Sequence, residues 1–296
     1  MTEVAERLSD KEKFLDARSK PVEDHAPGWL RQLRDSGAKR FETLSFPTRK
    51  DEEWRFTDVK PIVRAAFEPS MQPPREAADP AVAAPHRFNA PGWTELVFVD
   101  GFFVPEASQL PDAGGLRVTS LAEAVRTDGA LARKHLDTLA GDSGNIFNAL
   151  NSACLTDGAL VHAPRGYAGT APVHILYLTT NRQENRAAHP RNLIVLDETA
   201  EVTLIESYAG LTEAPYFNNA VTEIVLGDAA VLKRYAVLHE GPRGYHLSSV
   251  RVQQHANSVF RSFSAFLGGK IARNELKTRL AGEGADASLA GLYLAE

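Results

Sequence analysis

At 296 residues the chain exceeds what one ordinary core requires, so one large or two unequal domains are expected. A hydrophobic share of 43% marks a globular protein, while a net charge of −5 without any dense Arg/Lys run argues against nucleic acid as the main partner. No stretch approaches the roughly 18 uncharged apolar residues of a membrane span, and a single cysteine, Cys154, leaves no intramolecular disulfide. The start, Met1-Thr-Glu-Val-Ala-Glu-Arg7, lacks a basic segment followed by an apolar one, so a cytoplasmic location is expected.

Charge concentrates at the front. Residues 1–60 hold 13 Lys/Arg and 13 Asp/Glu, which reads as solvated helices. Val4, Leu8 and Leu15 mark one helix; Trp29, Leu30, Leu33 and Phe41 mark a second after Pro27-Gly28. Thr48 is placed to cap a short helix whose first turn carries Asp51, Glu52 and Glu53, with Pro61 ending it. Six prolines between Pro69 and Pro91 suggest a linker, or chain draped over a surface, rather than a packed element. Glu95 to Val104 predicts a hairpin with Asp100-Gly101 as a type I′ turn. Ser120-Leu-Ala-Glu123 is a capping box, opening a helix through Leu121, Val125, Leu136 and Leu139, with Gly129 as a candidate break. Phe147–Cys154 reads as a short helical turn, and strands begin at Ala159–Ala163 and Val173–Thr179.

From Arg191 to Glu296 the chain repeats itself. Four times an alternating apolar run enters a short corner and a second run leaves it; the corner alanines Ala200, Ala229, Ala256 and Ala285 stand 29, 27 and 29 residues apart. Val202, Leu204, Glu206 and Tyr208 share one strand face, as do Val231, Lys233, Tyr235 and Val237. A parallel β-helix, or β-solenoid, is predicted, since a whole coil supplies the long connection that parallel neighbours need. A two-sheet sandwich of hairpins has similar strand lengths and stays open. The expected organisation is a helical N-terminal region over 1–68, a Pro/Ala-rich linker over 69–92, a mixed hairpin and helix segment over 93–156, and an incomplete β-helix core over 157–296.

Catalytic templates fail. Gly269-Lys270 lacks the earlier glycine of a phosphate loop, Gly141-Asp-Ser143-Gly144 lacks the nucleophile-elbow spacing, and Gly282-Glu-Gly284 reads as a tight β turn. No Cys-x-x-Cys or His-x-x-x-His occurs. His239, His246 and His255 fall near the predicted corners, where stacking could bring them together, although solvated turn residues are the plainer expectation. Cys154 reads as a small buried hydrophobe, with a thiolate ligand or nucleophile as the alternative, for which no partner is legible beside it. Trp29 and Trp54 read as packing residues that seat the N-terminal helices on the β array, with a partner anchor as the alternative.

Several separated motifs, in order, resemble the SufD family, subunits of the SUF iron–sulfur cluster assembly machinery. Arg49-Lys-Asp-Glu-Glu-Trp-Arg-Phe-Thr-Asp58 is similar to that family's Glu-Trp-(Arg/Lys)-(Tyr/Phe)-Thr signature. Ala149 to Gly158, Pro172 to Leu178, Pro190 to Val195, Asn274 to Gly282 and Leu289 to Leu294 resemble its core. The paralogous SufB shares that core, but this N-terminal motif and the lack of cysteines favour SufD. The resemblance implies a right-handed parallel β-helix and a non-catalytic scaffold. It also implies pairing with a SufB-like paralogue and a SufC-like ATPase that binds the ATP, in a complex that assembles clusters from iron and sulfide. No firmly bound cofactor is implied for the chain itself. Family members continue well past the Leu-Tyr-Leu motif, so the chain is expected to be a fragment; the family's interface histidine and SufC-binding helices would lie beyond Glu296, and no metal or partner-contact residue carries over. An open coil edge near Leu289–Leu294 would favour dimerisation through the rim. The alternative reading is a β-helix enzyme acting on polysaccharide. It would want an acidic row on one outer face, where the strands offer isolated charges such as Glu206, Lys233 and Arg261. A hexapeptide-type acyltransferase would need a six-residue period, which is absent.

Overall fold

Among the described residues seven short strands precede the repeat: β1 (Glu68–Pro69), β2 (Thr94–Val99), β3 (Phe102–Phe103), β4 (Arg117–Ser120), β5 (Ala159–Ala163), β6 (Val173–Thr179) and β7 (Arg186–Ala188). The repeat then supplies β8 (Arg191–Leu196), β9 (Glu201–Gly210), β10 (Tyr216–Leu226), β11 (Val231–His239), β12 (Gly244–Gln254), β13 (Val259–Phe266), β14 (Ile271–Leu280) and β15 (Asp286–Tyr293). This computed structural model describes residues 11–15, 26–65, 67–71, 73, 79–88, 90–110, 114–141, 144–180 and 185–294. Even-numbered strands from β8 onward join one sheet and odd-numbered strands the other, each parallel to the strand one coil away. The predicted solenoid is therefore present. In the first sheet β4, β5, β8, β10, β12 and β14 are neighbours, with β7 and β1 extending beside β10. The second runs β3, β2, β6, β9, β11, β13, β15.

Coil length follows from register rather than from alanine. Leu196, Leu226, Gln254 and Leu280 are successive partners, as are Glu201, Val231, Val259 and Asp286. The equivalent corner residues are Thr199, Ala229, Asn257 and Gly284, all at positive φ (60°, 56°, 57° and 70°). The alanine marks are thus out of step: Ala229 occupies the left-handed position, whereas Ala200 and Ala285 follow it and Ala256 precedes it. What recurs is the backbone conformation that turns the chain between sheets, and the amides of Thr199, Ala229 and Asn257 each donate to the next corner at 2.8 Å.

The space between the sheets holds Ile194, Leu196, Val202, Leu204, Ala220, Ile224, Leu232, Val250 and Phe260, all buried. The outer face of the first sheet is covered by helices Gly28–Thr43, Leu121–Asp128, Ala130–His135 and Ile146–Ala153. Every residue of Ile146–Ala153 is buried, and its polar side is satisfied: Asn151 Nδ2 donates to the carbonyls of Pro190 (3.0 Å) and Asn219 (2.8 Å), and Ser152 Oγ to Asp137 (2.7 Å). Trp54 packs on Phe147 (5.6 Å between centroids) and lies under the Arg273 guanidinium of β14 (4.0 Å), so it seats the N-terminal motif on the array as expected.

Local forecasts mostly hold. Asp100 and Gly101 (φ 52° and 90°) form the predicted hairpin turn, Ser120 Oγ accepts from the Glu123 amide (3.1 Å), and Gly129 separates two helices, the second of which ends at His135, short of the expected Leu136 and Leu139. Three need correction. The Thr48 segment forms only one 3₁₀ turn, Glu52–Trp54, which starts after Asp51; Thr48 Oγ accepts from the Lys50 amide (3.2 Å) in a local turn before it. Pro61 opens the next helix, Lys60–Ala65, instead of ending one, since a first-turn residue needs no N–H. Within the proline-rich stretch, Pro80–His86 is a 3₁₀ helix that buries Ala83 against Val97 and Leu176 on the second sheet. Val4 and Leu8 lie outside the described residues, while Leu15 sits in a helical stretch, 11–15. No helix among the described residues is long and apolar enough to cross a membrane.

Candidate functional site

Alternation put Glu206 on the Val202 face of β9, and that face points into the solenoid. Glu206 is fully buried, and its carboxylate meets the Arg234 guanidinium from the inner face of β11. It also accepts from Asn192 Nδ2 and Thr222 Oγ1, each at 3.0 Å. Tyr177 donates to Asn192 Oδ1 (2.5 Å), and Arg234 reaches Ser262 Oγ at 3.4 Å. A charge taken out of water this far must be matched by a partner and by hydrogen bonds, and here it is. Burial, with the neighbouring Tyr208 and the Glu206 charge, holds the Tyr177 phenol far above its ordinary range, so it stays a neutral donor.

A second buried cluster lies at the opposite corner. His246 Nδ1 donates to Glu240 Oε1 (2.6 Å), Tyr216 donates to Oε2 (2.6 Å), and Asn218 Nδ2 reaches Oε1 (3.2 Å). Burial alone would raise the Glu240 carboxyl; the His246, Tyr216 and Asn218 donors outweigh it and hold it below the usual carboxylate range. His246 Nε2 has no hydrogen-bond partner, and the ring sits edge-on to Tyr208 at 4.6 Å.

Between helices and first sheet lies a third polar knot. Glu223 pairs with Arg191 (2.8 Å) and accepts the amides of Asp137 and Leu139 (2.8 Å each) and Ala140 (3.1 Å). Arg191 also reaches Asp137 (2.9 Å), which takes Arg40 on its other oxygen (2.5 Å). This knot joins β8 and β10 to the loop before helix Ile146–Ala153 and to helix Gly28–Thr43.

The histidines singled out from the sequence do not converge. His246 is buried beside Glu240, His239 is exposed at the end of β11, and His255 stands at the other corner beside Gln253 (3.2 Å). Cys154 is buried, with its thiol 3.9 Å from the Phe14 carbonyl. Among the described residues no three His, Cys, Asp or Glu side chains are grouped to hold a metal ion. Lys233 and Arg261 face outward on the second sheet, paired with Glu201 and Asp286. The inward placement of Glu206 and Arg234 was missed: alternation marks two faces without saying which is inside.

β14 and β15 are the outermost strands among the described residues. Beyond β14 and β15 no strand pairs among the described residues, and Leu280, Leu289, Leu292, Tyr293 and Leu294 are about half exposed or more. Unpaired backbone groups beside such a row form a ready edge for another strand.

Two family descriptions match in sequence order: the SufBD protein N-terminal region over residues 10–175, and the SufBD core domain of the SUF system for FeS cluster assembly over residues 177–296. An iron–sulfur cluster assembly SufBD family protein of Synechocystis is 30% identical over 82% of this chain and 55% of its own length. The chloroplastic protein ABCI7 of Arabidopsis thaliana is 26% identical over 95% of this chain and 57% of its own. The iron–sulfur cluster assembly protein SufD of Escherichia coli is 24% identical over 80% and 53%. The chain thus spans about half the length of these relatives. With both family regions matched in sequence order and a parallel solenoid behind them, the chain belongs to the SufB/SufD family of iron–sulfur cluster assembly proteins.

Proposed function

We propose that this chain is a non-catalytic scaffold subunit of a SUF-type complex in the cytoplasm. It pairs with a SufB-like paralogue and a SufC-like ATPase, and iron and sulfide are the cargo of the complex. The family match carries the reading, and the exposed apolar side chains of β14 and β15 suit a strand-forming partner. The charged residues on the outer face of the second sheet are neutralised in pairs, Lys233 with Glu201 and Arg261 with Asp286, which offers no acidic row for a polysaccharide. The test is co-expression with SufB-like and SufC-like proteins, followed by cluster reconstitution with and without this subunit. Co-purification and faster cluster formation are expected; recovery of a lone monomer that leaves reconstitution unchanged would refute the scaffold role. Leu289→Lys with Leu292→Lys places charge on the rim and is expected to weaken co-purification while the far-ultraviolet circular dichroism of the chain stays the same.

A further inference from the structure

On the outer face of the second sheet, strand register assembles three side chains from three separate strands. Glu95 on β2 and His174 on β6 are direct partners across the ladder, and Ser207 on β9 is diagonal to His174, whose own partner is Ile205. His174 Nδ1 lies 2.8 Å from Glu95 Oε2, and His174 Nε2 lies 2.9 Å from Ser207 Oγ. A carboxylate can only accept, so Nδ1 is the donor to Glu95, and in that tautomer Nε2 is left to accept from the Ser207 hydroxyl. The acid is itself held: Arg87 sits 2.9 Å from Glu95 Oε1. The base is shielded from water, being fully buried with the Phe88 ring edge-on at 5.0 Å. Ser207 remains partly exposed beside Val237, and Phe88 and Tyr235 present exposed apolar surface on the same face.

We propose that Ser207 is an activated nucleophile, with His174 as its general base and Glu95 as the group that orients the base, and that it accepts acyl or phosphonyl groups bearing a short apolar substituent. Nucleophile–base and base–orienter hydrogen bonds of these lengths are the geometric signature of such a centre, which is recognised by arrangement and not by sequence position. The step is a simple displacement. Ser207 Oγ bonds to the acyl carbon or the phosphorus, its proton passes to His174 Nε2, and the bond to the leaving group breaks; an alkoxide then recovers that proton, whereas fluoride leaves as the ion. The strands on either side of β9 tie its backbone into parallel ladders, so this flat surface builds no oxyanion hole from a strained turn. The centre should therefore load once and release slowly. It is an acceptor site and not a fast hydrolase, and it is independent of the scaffold reading.

The experiment is labelling of the purified chain with an alkyl fluorophosphonate, followed by peptide mass spectrometry. Ser288, exposed on the same face of β15, is the internal control. General-base assistance predicts that Ser207 is modified about 10²–10⁴ times faster than Ser288. Ser207→Ala should abolish that label, and His174→Asn should bring the Ser207 rate down to that of Ser288. Equal rates at the two serines in the wild-type chain, or no label at Ser207, would overturn the proposal, and this comparison holds even where the His174 variant fails to fold.

Discussion

At the scale of single residues, buried ionisable groups are the sensitive points. Removing one member of the Glu206–Arg234 pair leaves the other buried without its ionic partner inside the solenoid. Arg234→Met is expected to destabilise the chain by about 3–5 kcal/mol in urea unfolding, and adding Glu206→Leu should recover much of that loss. Two other groups pull in opposite directions with pH. Burial raises Asp157 from 3.8 to about 6, against the pull of the amides of Ala122, Gly158 and Phe103 that it accepts. A carboxyl whose folded pKa is raised binds its proton more tightly when folded. Its stabilising contribution is complete below pH 3.8 and is lost as pH rises through about 6. Burial lowers His189 from 6.5 to about 3, so its contribution is present above pH 6.5 and is lost as pH falls toward 3. Asp157→Asn should therefore gain stability relative to wild type as pH rises from 4 to about 6, by on the order of 3 kcal/mol in total. His189→Gln should gain relative to wild type as pH falls through the same window. Paired urea titrations at several pH values, read as variant minus wild type, check both signs.

At the scale of elements, the corners and the Trp54 turn decide how the strands are held. Thr199 and Ala229 bear side chains at positive φ, a conformation in which a Cβ crowds the following carbonyl. Ala229→Gly should raise the unfolding free energy by roughly 0.5 kcal/mol, read as a higher urea midpoint at unchanged slope, the relief of strain outweighing the added freedom of the unfolded chain; Thr199→Gly should gain more, because threonine is β-branched. Trp54 is wedged between Phe147 and Arg273, and Lys277 of β14 reaches Glu53 at 3.0 Å. Trp54→Ala should cost about 3–5 kcal/mol and expose the 48–57 turn to limited proteolysis before the sheets unfold. The motif that carried the family resemblance therefore has a mechanical role, clasping the N-terminal region to the last coils.

At the scale of the molecule, the fold is a layered stack. Helices cover one sheet, the 80–107 segment covers the start of the other, and the later strands of that second sheet show their outer face to solvent. Each coil is stabilised by its neighbours, so strand pairing one coil to the next carries the stability of the stack. Opposite the helices, the same exposed face brings Ser207 within reach of solvent while His174 stays dry.

The sequence by itself determined the strands, their alternation, the approximate coil length, the Asp100-Gly101 hairpin, the Ser120 cap and the family, because these depend on neighbours within a few residues or on motifs read in order. Only the tertiary structure decided the rest. Alternation defines two faces of a strand, but which one is interior is fixed by stacking of the sheets, and so Glu206 and Arg234 became a buried pair while Lys233 and Arg261 stayed outside. The true corner positions were hidden because a left-handed backbone can be filled by Thr, Ala, Asn or Gly alike. Glu95, His174 and Ser207 are far apart in sequence, and only parallel register places their side chains within hydrogen-bonding distance.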